Sequence, residues 1–507
     1  MLPFIKNNTF YLNNEPFIML AGEIHNSSSS SLEYMENNVW PNLRGLNMNT
    51  VLVPVAWESI EKESGVFNFS LVQGLIEQAR AEKMRLVILW FGLWKNAESF
   101  YVPGWMKKDT TTYFRAKNRN GEPLNTISPF CQMAIERDKA AFTKLVEFIK
   151  KVDEKEHTVL MIQVENEIGL LKTVRDYCDA AQELYYRSVP DEVAALYQVK
   201  GTWEECFGKE AGEHFMSYAF ATAVEQIASA GKKIYDIPYY ANAWLEQWPW
   251  DVGTYPSGGP VMKMKKMWKA MAPSLACLAP DIYVPYVADV ADEYAQEDNA
   301  LFIPEVRKDA MASTYALYCI LEKHAICYSP FGIEDINADP SSLHKPPLSL
   351  MQELNIDPSA FELDGSAEQI RLVYEFIENL KPLYYQYRNT GRMKNFIKRN
   401  EWNYGEILEF QNFRFKMSFQ ANETAKPIAG GGIIELTDHT FLIYGMRSKI
   451  EIMSHLSEDK KVGMIELAEV KVEHGKLQKL RVLNGDEQMF ISLGNKLSCL
   501  FVEVYKY

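Results

Sequence analysis

The first three quarters of the chain alternate two hydrophobic patterns. Short, near-continuous runs of apolar residues recur at Phe17–Ala21, Thr50–Val55, Arg85–Trp90, Thr158–Val164, Ile237–Ala243, Asp281–Pro285, Leu301–Pro304 and Ala325–Tyr328. Apolar runs without polar alternation are what strands buried on both faces of a parallel sheet require. Between them, apolar positions repeat at helical spacing: Leu71, Leu75, Ile76 and Ala79; Ala141, Leu145, Phe148 and Ile149; Phe220, Val224, Ile227 and Ala228. Each set marks one buried helix face. Eight strands with interleaved helices predict an α/β chain folded as a (β/α)8 TIM barrel. A doubly wound sheet is the competitor, but Gly22-Glu23-Ile24-His25 stands where its phosphate-binding GxGxxG would follow the first strand.

A last helix is expected over Ala367–Tyr387, where Ile370, Val373, Tyr374, Ile377 and Leu380 share a face and would close the barrel. From about residue 405, helical periodicity gives way to short strand-like runs, with turns expected at Ala429-Gly430-Gly431-Gly432, His474-Gly475 and Asn484-Gly485-Asp486. The expected organisation is a catalytic barrel over 1–390 and a C-terminal antiparallel β-sandwich over 391–507. Two segments are too long for plain connections: 171–210 between the fourth and fifth strands, and 334–364 after the eighth. Loops at the C-terminal ends of barrel strands shape substrate access.

Composition narrows the partners. The 507 residues carry 53 basic and 67 acidic side chains, a net charge of −14, which repels nucleic acid and anionic membranes. No apolar run approaches the roughly 18 residues needed to span a bilayer. The start, Met1-Leu2-Pro3-Phe4-Ile5-Lys6, does not read as a signal peptide. Seven scattered cysteines show no CxxC or metal-ligand spacing, so a reducing cytoplasm without a disulfide framework is expected. Neither a cofactor nor a metal is implied. A neutral or cationic partner is expected, and the β domain could bind ligand, act as a lid or form a homodimer interface. Its aromatics Phe441 and Tyr444 are read as exposed, and Lys263–Lys269 as a solvated helix face.

The chemistry concentrates in two places. The run Val159-Leu160-Met161-Ile162-Gln163-Val164-Glu165-Asn166-Glu167 ends the fourth strand in a carboxylate, and Leu301-Phe302-Ile303-Pro304-Glu305 does the same at the seventh. Strands four and seven can face each other across a barrel mouth. Retaining glycoside hydrolysis needs two carboxyls roughly 5–5.5 Å apart, one protonated and one ionised. Glu167 is therefore the candidate acid/base and Glu305 the candidate nucleophile. Asn166 is placed to hydrogen-bond a sugar 2-hydroxyl. Glu165, two residues before Glu167 and on the same face of a regular strand, is assigned a structural role.

The motif Gln163-Val164-Glu165-Asn166-Glu167-Ile168-Gly169 resembles the QVENEYG of glycoside hydrolase family 35 β-galactosidases. Gly22-Glu23-Ile24-His25 resembles that family's first-strand G-x-I-H. Trp40 with Leu43-Arg44-Gly45-Leu46-Asn47 resembles its first helix and turn. Trp57, Glu61 and Gly65-Val66-Phe67-Asn68-Phe69 resemble its W-x-x-x-E…G-x-F-x-F. The likeness runs over roughly 10–170 and thins towards 335. The chain departs from it at Asn26, Ser27 and Ser28, at Ile168, at Trp94-Lys95-Asn96-Ala97-Glu98 and in Ile303-Pro304-Glu305-Val306-Arg307. The resemblance implies a (β/α)8 barrel and an exo-acting, retaining β-galactosidase of a divergent bacterial branch. By the same resemblance, a small oligosaccharide or galactoside is the expected partner, and Asn96 and Glu98 would hold sugar hydroxyls.

The other candidates each have a plainer role. Tyr283 and Tyr286 flank the expected end of strand six, to orient the nucleophile or pack on the rim. Trp57, Trp90, Trp94 and Trp244 cluster at strand ends and suit a stacking platform for a pyranose, or core packing. His25 supports the floor of the site, and Glu23 contacts ligand or a cation such as Arg44. Alternatives are a β-glucosidase, β-mannosidase or exo-β-glucosaminidase of the same mechanism, or a barrel that binds carbohydrate without turnover. An isomerase or aldolase would want a lysine or metal ligands at strand ends, and the sequence reading finds neither there.

Overall fold

The computed structural model describes residues 1–507 apart from 247–248, 340, 342, 344–346, 354–355 and 456–459, so the segment 334–364 is described only in part. A short antiparallel meander, Phe4–Lys6, Thr9–Leu12 and Glu15–Pro16, leads in. Eight strands then close a barrel in chain order: β1 (Met19–Glu23), β2 (Thr50–Ala56), β3 (Arg85–Lys95), β4 (Val159–Asn166), β5 (Tyr239–Trp244), β6 (Leu275–Ile282), β7 (Phe302–Val306) and β8 (Cys327–Pro330). The pairings from β1 through β6 are parallel. Their side chains are almost wholly buried, which explains the unbroken apolar runs.

The chain divides into two compact units, 1–41 with 49–282 and 293–305, and 42–48 with 283–292 and 306–507. In the first, α1 (Ser70–Ala81), α2 (Gln132–Asp153) and α3 (Ala211–Ile234) bury the stripes read from the sequence, among them Leu75, Ile76, Leu145, Ile149, Val224 and Ile227. The segment 171–210 carries three short helices, Asp179–Tyr185, Asp191–Tyr197 and Trp203–Phe207. Lys263 is not part of a solvated face: its ammonium pairs at 2.6 Å with the fully buried Glu213.

Several strand limits differ from expectation. The sixth strand lies earlier than Asp281–Pro285, because Leu275-Ala276-Cys277-Leu278-Ala279 is the buried stretch. Small Ala and Cys carry weak strand propensity, and burial within the sheet overrides it. The third and fourth strands run on to Lys95 and Asn166, and the seventh continues through Glu305 to Val306.

In the second unit, α4 (Ala312–Leu321) and α5 (Ser366–Tyr387) accompany two antiparallel sheets. The strands are β9 (Met393–Ile397), β10 (Gly405–Glu409), β11 (Phe413–Phe419), β12 (Gly430–Thr437), β13 (Thr440–Met446), β14 (Ser448–Ser454), β15 (Val462–Glu473), β16 (Lys476–Val482), β17 (Ile491–Leu493) and β18 (Ser498–Lys506). One sheet has the order β9-β12-β13-β18-β15-β16 and the other β10-β11-β14-β17. Their inner faces share a core that includes Phe396, Phe413, Phe415, Phe441, Ile443, Leu467 and Val502, a β-sandwich. Phe441 and Tyr444 are buried here rather than exposed.

The expected turn at Ala429–Gly432 is instead the start of β12. A Cβ on Gly431 would stand 2.1 Å from the Tyr444 carbonyl oxygen, and one on Gly432 would meet the Tyr444 ring. These glycines serve close backbone approach inside a sheet, not chain reversal. Gly431→Ala is therefore expected to destabilise the protein by about 1–3 kcal/mol. Urea unfolding is the check, and an unchanged midpoint would contradict this packing.

Candidate active site

The site is assembled from strand ends of the first unit, beginning with an irregularity in β3. Trp90 pairs with Val164 and Lys95 with Asn166, so Phe91–Trp94 stand opposite Glu165 alone. Such a bulge strips backbone amides of their ladder partners, and buried amides must find others. Asp138 accepts from the Leu93 N–H (3.1 Å) and the Trp90 indole (2.8 Å), and Glu165 accepts from the Trp94 N–H at 2.6 Å. Burial and the neighbouring Asp138 push the Glu165 carboxyl well above the usual range. Gly92 lies against it: a Cβ there would be 2.6 Å from Glu165 Oε1 and 2.7 Å from Asp138 Oδ2.

Glu165 and Glu167 do not share a face as a regular strand would have them. Both have left-handed backbone, φ 62° and 45°, a conformation costing on the order of 1–3 kcal/mol and held only by surrounding structure. The holding contacts are visible. Asn96 and Ala97 donate their N–H groups to the carbonyls of Asn166 and Glu167, and the Glu167 N–H donates to Asn242 Oδ1 at 3.0 Å. Asn242 in turn donates to Asp281 Oδ2 at 2.7 Å.

This brings three carboxyls together. Glu167, Asp281 and Glu305, all buried, each place an oxygen within 4.8 Å of the others. Lys95 Nζ donates to Asn166 Oδ1 at 2.8 Å, and Asn166 Nδ2 faces Glu305 Oε1 at 3.4 Å. Burial, then the charge of Glu305, pushes Glu167 up to about 7, against the pull of Lys95 and Asp281. Burial with Glu305, Glu167 and Glu23 holds Asp281 well above the ordinary aspartate value. Burial would lower the Lys95 ammonium, but Glu305, Glu167 and Glu23 outweigh it and hold it above the ordinary lysine value. The three carboxyls are the grouping of metal-donor side chains found among the described residues. The Lys95 ammonium acts on all three. A protonated acid beside a second carboxylate can donate a proton and present a nucleophile to one bound molecule.

Against this geometry the comparisons fall into place. The profile described as "Glycosyl hydrolases family 35" matches residues 9–249, and "Domain of unknown function (DUF5597)" matches 370–494. Residues 9–249, a little under half of the chain, are thus similar to the glycosyl hydrolases of family 35, and they hold β1 through β5 with Glu167. Among solved structures, the β-galactosidase from Bacillus circulans sp. alkalophilus is 11% identical at TM-score 0.50, over 96% of this chain and 99% of its own. The catalytic domain of β-amylase from Paenibacillus polymyxa is 11% identical at TM-score 0.50, over 68% of this chain and 98% of its own. The β-galactosidase from the psychrophilic Marinomonas ef1 is 13% identical at TM-score 0.48, over 72% of this chain, and this chain spans 60% of it. At such identities the likeness concerns the fold. Among curated proteins nothing matches.

In the barrel, Glu23 is fully buried and acts on Lys95 and Asp281 from β1, while His25 is half-buried just beyond it. Trp244 ends β5 half-buried, beside Asp281 in the ladder. Asn96 is exposed and Glu98 half-buried, in the backbone hairpin that pins 166–167. Trp57, Trp90 and Trp94 have 0% exposure. A ring with no accessible surface cannot offer a face to a pyranose, so the platform reading gives way to packing: the Trp57 indole donates to Glu61 and that of Trp94 to the Ile127 carbonyl. Tyr283 and Tyr286 belong to the second unit, where Tyr283 stacks on Phe361 and Tyr286 is partly exposed.

Three residues escaped the sequence reading. Lys95 was passed over because the third strand was ended at Trp90, and Asp281 because it was placed at the start of its strand. With the true limits, each stands at or near a strand's C-terminal end. Asn242, inside an apolar strand, carried no such signal. Gly92→Ala is expected to lower stability by about 1–3 kcal/mol and to reduce turnover, because the added methyl displaces the Glu165–Asp138 pair beneath Glu167. Thermal unfolding and an aryl-glycoside assay check this, and wild-type values in both would refute the role given to the bulge.

Proposed function

We propose that the protein is a retaining, exo-acting β-galactosidase that releases terminal β-galactose from small oligosaccharides by double displacement. The observation that carries this reading is the close approach of Glu167 and Glu305, with Glu167 holding its proton towards neutral pH. A pair of catalytic carboxyls this close suits direct attack by one of them, whereas inversion needs roughly 6.5–9.5 Å to admit a water. Glu305 attacks the anomeric carbon as the glycosidic bond breaks, and Glu167 gives its proton to the leaving oxygen. In the second half, Glu167 takes a proton from water, whose oxygen attacks the same carbon and frees Glu305. Asn166 is the candidate partner of the sugar 2-hydroxyl, and the half-buried Trp244 of an apolar sugar face.

Galactose as the terminal sugar rests on the motifs shared with family 35 and on the profile match over 9–249. The seven free thiols suit a reducing, cytoplasmic setting. No helix among the described residues is long and apolar enough to cross a membrane.

Glu305→Ala is expected to abolish hydrolysis of an aryl β-galactoside, with azide restoring turnover to give the α-linked galactosyl azide. Wild-type activity in that variant would remove Glu305 from the nucleophile role, and a panel of aryl glycosides ranks the sugars. The pH profile is a second test. Glu167 must be protonated in the first step, so kcat/KM should hold below about 7 and fall as pH rises through it. An alkaline limb near the ordinary glutamate range would exclude Glu167 as the acid.

A further inference from the structure

We propose that Lys95 is the positioning cation of this site: its ammonium fixes the Asn166 amide against Glu305 and supplies the positive charge around which Glu23, Glu167, Asp281 and Glu305 are gathered. The inference rests on the glycosidase reading and deepens it.

Lys95 closes the β3 bulge. It pairs with Asn166 in the ladder, exchanges backbone hydrogen bonds with Glu98 at 2.8 and 3.0 Å, and holds its ammonium 5.0 Å from the Phe91 ring centre. The side chain is only 5% exposed, and a buried charge persists only where hydrogen bonds and opposite charge replace water. The groups acting on it come from all around the barrel: Glu23 on β1, Tyr101 beyond β3, Glu167 beyond β4, Asp281 on β6 and Glu305 on β7.

The hydrogen bond to Asn166 decides an orientation. An ammonium only donates, so it demands the amide oxygen and thereby turns the NH2 group towards Glu305. Without it the amide loses the donor that fixes its orientation, and a flip would aim its oxygen at a carboxylate, oxygen against oxygen. A displaced Asn166 would compromise both Glu305 and the sugar 2-hydroxyl contact. The charge has a second effect. Lys95 pulls down the proton affinity of Glu167 and Asp281 while Glu305 raises it, so it decides how many protons the cluster holds at a given pH.

The test compares Lys95→Met with Lys95→Arg on the aryl glycoside that the wild-type enzyme turns over fastest. The Met variant should lose about 100-fold in kcat/KM, the cost of misplaced groups. Its alkaline limb should move up by about one pH unit, because a neighbouring positive charge has gone. The Arg variant should keep the limb in place and recover at least part of the rate. Two outcomes overturn the proposal. One is a Met variant with near wild-type kcat/KM. The other is an equal loss in both variants with the limb unmoved, the signature of mere packing. If the Met variant does not fold, Lys95→Gln carries the same limb measurement. A wild-type protein inactive on every aryl glycoside would sink the glycosidase reading and this inference together, whereas an active wild type with an indifferent Met variant sinks this inference alone.

Discussion

Five ionisable groups, four acidic and one basic, share a barrel mouth from which most water is excluded. Everything else in the site follows from how their repulsion is contained. Carboxylates within a few ångströms of one another in a medium of low polarity cannot all be ionised. The cluster therefore keeps protons that free carboxylates would release, and burial with the charge of Glu305 raises Glu167 to about 7. Asn166 and Asn242 hydrogen-bond within the cluster, and neutral amides add dipoles without adding charge.

Containment depends on the scaffold beneath. The β3 bulge would leave buried amides unpaired, and the Asp138–Glu165 pair satisfies them. That pair is also why Glu165, only two residues from Glu167, has a different function. Left-handed backbone at both glutamates breaks the alternation of the strand. One carboxyl is sent down to the bulge and the other out to the mouth. The strain is held by hydrogen bonds from the hairpin at residues 95–98.

The β-sandwich obeys a simpler constraint. Its two inner faces are filled largely by Phe and branched aliphatic side chains. On the opposite face of β13, Tyr444 packs against Phe376, and the neighbouring β12 gives way to it with glycine. The same Gly-rich string looks like a turn to any rule based on local conformation, because glycine serves both purposes and only the partner strand distinguishes them.

Burial on both faces wrote the barrel into the sequence, since strands of that kind must be unbroken apolar runs and their helices must repeat at 3.6 residues. Glu167 and Glu305 were legible for a related reason: a carboxylate closing an apolar strand has no packing role to explain it. Asp281 and Lys95 obey the same rule, and they were hidden by strand limits that local propensity places a few residues away. What only the tertiary structure decided is which side chains meet. The bulge, the left-handed turns at Glu165 and Glu167 and the burial of Trp57 all arise from partners far along the chain. Proton affinity in the cluster is likewise a property of the gathered charges, and no single position in the sequence carries it.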